Sequence, residues 1–168
     1  MHALAKKPLY LHGLEGSPQG VKGAWMMQRY GANAPNMPAK MGDPHSFDRC
    51  FDIAAKTIHQ APPRFIVGSS FGGALLMKLS LEGLWGGPSI YIAQAGVRYG
   101  LGKHLPSNVP AILIHGKQDT LIPHADSQLL ADHSGPRVLL WLVEGSHKLH
   151  HIIHDGTLDN AISTVLTL

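Results

Sequence analysis

Arg64-Phe65-Ile66-Val67-Gly68-Ser69-Ser70-Phe71-Gly72-Gly73 joins a strongly apolar run to a serine flanked by glycines, and Ala74-Leu75-Leu76-Met77 follows directly. The first part is short and β-rich, as a buried strand must be, while Phe71 to Leu84 predicts a helix. A strand that passes into a helix through one tight turn is half of a parallel crossover unit.

The stretches on either side repeat that grammar. Upstream, Leu9-Tyr10-Leu11 predicts a short strand that stops at His12-Gly13, with a turn at Gly16-Ser17-Pro18. Val21 to Tyr30 predicts a helix ended by Gly31, and Ala32 to Met37 is a weak strand candidate broken by Pro35. After a loop over Pro38 to Pro44, Phe47, Phe51, Ala54, Ala55 and Ile58 fall at helical spacing in a helix that Ser46 or Asp48 can cap. It runs through Gln60 and is stopped by Pro62-Pro63. Downstream, Ser89–Ala93, Ala111–His115 and Val138–Val143 predict strands, and Ala125–His133 and Leu149–Val165 predict helices, the last divisible at Gly156. Nearly continuous apolar strands separated by helices imply an α/β, doubly wound, mostly parallel sheet with helices on both faces. No internal repeat interrupts it, so residues 1–168 are expected to form a single domain.

Composition narrows the classes. The 168 residues are 44% hydrophobic and 15% charged, a globular balance long enough to bury a core. The formal charge is +3, but the basic residues are scattered, with one Lys6-Lys7 pair and no stripe interleaved with aromatics. Nucleic acid is therefore not an expected partner. A single cysteine, Cys50, excludes an intrachain disulfide and suits a reducing compartment. Met1 to Lys7 has no apolar run of the secretory kind, and no segment is long enough to span a bilayer. The expectation is a cytoplasmic protein without membrane association, its oligomeric state open.

Ligands on such sheets bind at the carboxyl ends of the strands. Gly68-Ser69-Ser70-Phe71-Gly72 is a G-x-S-x-G pattern centred on Ser70, placed between strand and helix, where the hydroxyl is pushed into the open. Ser69 is the rival nucleophile but lacks the flanking glycine pair. Neither G-x-G-x-x-G nor a terminal G-K-S/T is present, which argues against a phosphate-binding loop. The strand Ala111–His115 delivers Gly116-Lys117-Gln118-Asp119, where Asp119 can orient an imidazole. Asp126 competes but belongs to the next helix. Val143-Glu144-Gly145-Ser146-His147 ends the last strand and offers His147 as base and then acid. The first strand leads into His12-Gly13-Leu14, where the Leu14 amide can pair with that of Phe71 as an oxyanion hole; His12 reads as a structural residue beneath that loop.

Two further features are weighed. His147, His150, His151 and His154 crowd together, and His150 and His154 stand at i, i+4, a spacing able to hold a metal on a helix. H-E-x-x-H is absent and no third ligand is placed, so a solvated helix face and no metal are expected. Cys50 falls within a helix and reads as a small packed residue.

The segments H-G-L at 12–14, G-S-S-F-G at 68–72, H-G-K-Q-D at 115–119 and G-S-H at 145–147 resemble, in that order and over essentially the whole chain, the α/β-hydrolase superfamily. Among the twelve histidines, the chain order Ser, Asp, His is what selects His147. The Y-L-H-G-x-x-x-S-P start at 10–18 and the short length resemble the small YqiA-like bacterial esterases. The resemblance implies cleavage of a small-molecule acyl ester or thioester through an acyl-enzyme. Ser70 is then the nucleophile, His147 the base, Asp119 its orienting acid, and the Leu14 and Phe71 amides the oxyanion hole, with no cofactor. Gly96 to Pro110 is the only stretch available for a lid, so little or no lid is expected. The alternative is a catalytically weak protein of the same fold that binds a partner or ligand.

Overall fold

The computed structural model describes residues 5–14 and 16–168; Met1–Leu4, where the N-terminal reading above begins, and Glu15 lie outside the described residues. Five strands, β1 (Leu9–Leu11), β2 (Ile66–Ser69), β3 (Ser89–Ile92), β4 (Ala111–Gly116) and β5 (Val138–Val143), form one sheet in sequential order with every neighbouring pair parallel. Every residue of β1 to β4 is buried, which is why these strands read as unbroken apolar runs.

Helices α1 (Val21–Tyr30), α2 (Ser46–Gln60), α3 (Phe71–Leu81), α4 (Ala125–Asp132) and α5 (Thr157–Val165) cover the two faces. Strand side chains alternate between them. Leu9, Leu11 and Leu113 pack with α2, α3 and α4, whereas Tyr10, Ile112 and Ile114 pack with α1 and α5.

The weak strand expected over 32–37 is reduced to one parallel bridge, Leu9 with Asn33. The Tyr10 amide donates to the Asn33 carbonyl (2.9 Å) and the Asn33 amide to that of Pro8 (2.8 Å). Pro35 and Pro38 have no N–H with which to lengthen the ladder. The bridge still matters, because it puts chain on the outer side of β1 while β2 lies on the other. With right-handed crossovers, α1 covers one face on the way out and α2 the opposite face on the way back. The winding therefore reverses at β1, and the ligand crevice of such a sheet lies at its carboxyl end.

Several element ends differ from expectation for local reasons. Neither Ser46 nor Asp48 caps α2; the capping residue is His45, whose amide donates to Asp43 Oδ1 (2.9 Å), and the Ser46 hydroxyl instead accepts the Lys40 amide (2.9 Å). Helix α3 stops at Leu81 rather than Leu84 because Gly83 turns left-handed (φ 72°) and the Leu84 amide folds back to the Leu79 carbonyl. The stretch from Leu149 divides into a 3-10 turn, His150–Ile153, and α5, with Gly156 at φ 86° between them. Residues 93–110 hold no helix or strand; Leu105 and Val109 are buried, and the Leu105 amide donates to Ser134 Oγ (2.8 Å). Arg98 and Tyr99 of this stretch border the cleft at the end of the sheet. Among the described residues no helix is long and apolar enough to cross a membrane.

Candidate active site

Ser70 is the single residue between β2 and α3, and its backbone has φ 54° and ψ −111°. A side chain held there costs about 1–3 kcal/mol, which the surroundings must offset. They hold it from both sides: the Ser70 amide donates to the Ile92 carbonyl (2.8 Å), and its own carbonyl accepts the Ala95 amide (3.1 Å). The flanking glycines are forced by contact. A Cβ on Gly68 would lie 2.5 Å from the Gly72 carbonyl oxygen, and one on Gly72 would lie 2.0 Å from that of Leu11. The start of α3 thus presses directly on the end of β1.

The loops after β4 and β5 deliver the other two expected side chains to the same place. His147 Nε2 lies 2.9 Å from Ser70 Oγ, and His147 Nδ1 lies 2.7 Å from Asp119 Oδ2. These loops are knitted together: the Gln118 amide donates to the Gly145 carbonyl (3.0 Å) and the Gly145 amide to Gln118 Oε1 (2.6 Å). Asp119 Oδ1 accepts the Leu121 and Ile122 amides, both at 2.9 Å. Burial pushes the Asp119 carboxyl up, but the Ile122 amide, the His147 ring and the Leu121 amide outweigh it and hold the group below its ordinary range. An ionised carboxylate only accepts, so His147 Nδ1 carries the proton and Nε2 offers its lone pair to the Ser70 hydroxyl.

The Leu14 and Phe71 amides donate to no protein acceptor among the described residues. Phe71 opens α3, where the helix dipole favours negative charge. A Cβ on Gly13 would lie 3.6 Å from Ser70 Cβ, so the loop carrying Leu14 runs beside the serine. His12 sits beneath that loop: its Nε2 accepts the Met37 amide (2.9 Å), which leaves Nδ1–H for the Gly13 carbonyl (2.8 Å). The rivals do not join this hydrogen-bonded chain. Ser69 is a buried strand residue, Asp126 pairs with Arg98 (3.0 Å), and Cys50 is wholly buried in α2. His150 opens the 3-10 turn and His154 follows its end, so the two do not share an α-helical face. Among the described residues no group of three or more His, Cys, Asp or Glu is placed to hold a metal.

Two groups escaped the sequence reading. His115, fully buried on β4, donates from Nε2 to the Ile122 carbonyl (2.9 Å) with Asp119 Oδ2 at 3.2 Å, while Nδ1 accepts the Ser127 hydroxyl (2.7 Å). Gln94 Nε2 in turn donates to Ser127 Oγ (3.3 Å). Burial pushes the His115 imidazole below its ordinary range against the pull of Ile122 and Asp119, so the ring is neutral. A histidine inside Ile112-Leu113-Ile114-His115 was the available signal. The second group is Lys22, on the first turn of α1, for which the sequence offers no signal.

Ser70 and His147 open into a cleft of about 450 Å³ bounded by Leu14, Lys22, Tyr99 and Leu121.

The protein has the α/β-hydrolase fold. No family model and no curated protein matches the sequence. Solved structures do match. One described as a hydrolase of the α/β superfamily, from Xanthomonas campestris, is 20% identical, with a TM-score of 0.74 over 98% of this chain and 100% of that one. Mouse α/β hydrolase domain-containing protein 10 is 18% identical (TM-score 0.76, 96% and 92% covered). An esterase from Pyrococcus furiosus is 16% identical (0.69, 97% and 83%). At these identities the likeness is one of fold.

Proposed function

We propose that residues 1–168 act as a single serine-hydrolase domain, of the small YqiA-like esterase kind, that cleaves small carboxylic esters or thioesters in the cytoplasm. The observation that carries this reading is the unbroken hydrogen-bonded chain from Asp119 through His147 to Ser70, with the serine on a strained turn at a helix N-terminus. Hydrolase and esterase descriptions among the structural neighbours agree with it.

In this scheme Ser70 Oγ attacks the substrate carbonyl as His147 Nε2 removes its proton. Asp119 holds the imidazole in the required tautomer and stabilises its charged form. The tetrahedral oxyanion rests on the Leu14 and Phe71 amides, each such donor contributing about 3–4 kcal/mol in the transition state. His147 then protonates the departing alcohol or thiol. Water, deprotonated by the same nitrogen, attacks the acyl-enzyme, and Ser70 regains its proton as the acid leaves.

The test is turnover of 4-nitrophenyl acetate and of acyl-thioesters of graded length by the protein and by its Ser70→Ala variant. Turnover that disappears with the hydroxyl supports the reading. A folded protein that is silent against the whole panel, or a variant as active as the parent, removes it.

A further inference from the structure

Basic side chains line the cleft in front of Ser70. Lys22, Arg98, Lys148 and His150 line it, and among the described residues no Asp or Glu does. Arg98 is compensated by Asp126 (3.0 Å). Lys22 is not: it is 8% exposed, its amine donates to the Lys148 carbonyl (2.6 Å), and no carboxylate among the described residues lies within 4.0 Å of it. A buried ammonium holding one neutral acceptor is poorly compensated for the water it has given up.

Of the neighbours, Lys148 brings a second ammonium, while His150 is a neutral donor at pH 7. Burial and the Lys148 charge push the Lys22 amine down to about 8, and burial and the charges of Lys22 and Lys148 push the His150 imidazole below its ordinary range. The repulsion between the Lys22 and Lys148 ammoniums is relieved when an anion lies beside them, which favours charged over neutral ligands. Apolar side chains supply another part of the lining: Met41 and Leu121 are 74% and 68% exposed, and Tyr99 stacks on Phe47 with ring centroids 4.9 Å apart.

We infer that this cleft selects esters bearing a carboxylate, which Lys22 receives with Lys148 and His150 beside it, while the apolar remainder lies on the Met41–Tyr99–Leu121 side. The inference rests on the serine-hydrolase reading for the reaction, but the recognition itself needs only the cleft. The carboxylate can belong to the acyl half or to the leaving half, since both halves of an ester flank the Ser70 hydroxyl.

Two matched pairs separate these cases: mono-4-nitrophenyl adipate against 4-nitrophenyl hexanoate for the acyl half, and 4-acetoxybenzoate against 4-acetoxybenzamide for the leaving half. In one pair the charged member is expected to have a kcat/KM higher by about tenfold or more, as a charge-assisted hydrogen bond supplies. Lys22→Met should collapse that ratio. Lys22→Gln, which keeps a donor for the Lys148 carbonyl but drops the charge, should collapse it equally. The ratio is the readout, because any disturbance of the His147 loop affects both members alike. Calorimetric titration of the same pairs into Ser70→Ala, with and without Lys22→Met, reads recognition without turnover. Charge preference there in a protein that hydrolyses nothing would sustain this inference while ending the hydrolase reading. Equal kcat/KM and equal binding within both pairs, or a ratio that survives both Lys22 variants, would overturn it.

Discussion

Asp119→Asn turns one carboxylate oxygen into an NH2 group, and the surroundings decide which one. Oδ1 accepts two backbone amides, Leu121 and Ile122, each at 2.9 Å. An NH2 group there would face two donors, so the amide oxygen must take that position. The NH2 is left on the His147 side, 2.7 Å from Nδ1 and 3.2 Å from His115 Nε2. It can only donate. His147 must then accept at Nδ1 and carry its proton on Nε2, where the Ser70 hydroxyl needs a lone pair. On the proposed mechanism the base is then disabled with the geometry nearly intact, a change worth about 10⁴-fold in kcat, or roughly 5 kcal/mol in the barrier. Steady-state hydrolysis of 4-nitrophenyl acetate, with circular dichroism as the control for folding, measures it. Labelling of Ser70 by a fluorophosphonate should slow as well. A folded Asp119→Asn protein within about tenfold of the parent would refute the tautomer argument.

Other outcomes follow from the same contacts. Gly72→Ala should lower stability by about 3 kcal/mol or prevent folding, because its Cβ would meet the Leu11 carbonyl at 2.0 Å; Gly86→Ala, with open space around it, should change urea unfolding by less than about 0.5 kcal/mol. His115→Leu should lose about 1–3 kcal/mol of stability, since Ser127 and the Ile122 carbonyl lose their buried partner, and it should lower kcat more than it raises KM as Asp119 loses a neighbour. Lys22 binds its proton more weakly when folded, about 8 against the ordinary 10.5, so the unfolded chain holds more protons between those values and stability rises with pH across that window. Compared with Lys22→Met, the protein should gain up to about 3 kcal/mol from neutral pH to the upper end of the window, as read by urea unfolding. A difference independent of pH would contradict this.

The sequence revealed those parts of the fold that local chemistry dictates. Helix α1 ends where Gly31 can turn left-handed (φ 63°), and α2 ends before Pro62-Pro63, so both ranges are readable. The strand at 32–37 was not, because whether one bridge forms beside β1 depends on partners far along the chain. Ser46 looked like a cap, but its hydroxyl is engaged by the Lys40 amide, six residues earlier. In the site, residues 70, 119 and 147 were legible because each stands in a short motif just beyond a strand. The supporting shell was not: Gln94, Ser127 and His115 are joined only through space, and Lys22 meets Lys148 across 126 positions. Ordinary residue types with long-range partners leave no local pattern to read.

Covalent capture interrogates the proposed nucleophile itself. The protein is treated with a fluorophosphonate, weighed intact and mapped by peptide mass spectrometry. The account predicts one adduct per chain, carried on Ser70 and missing from Ser70→Ala. An unlabelled folded protein, or a label lodged on Ser69 or Cys50, would contradict it.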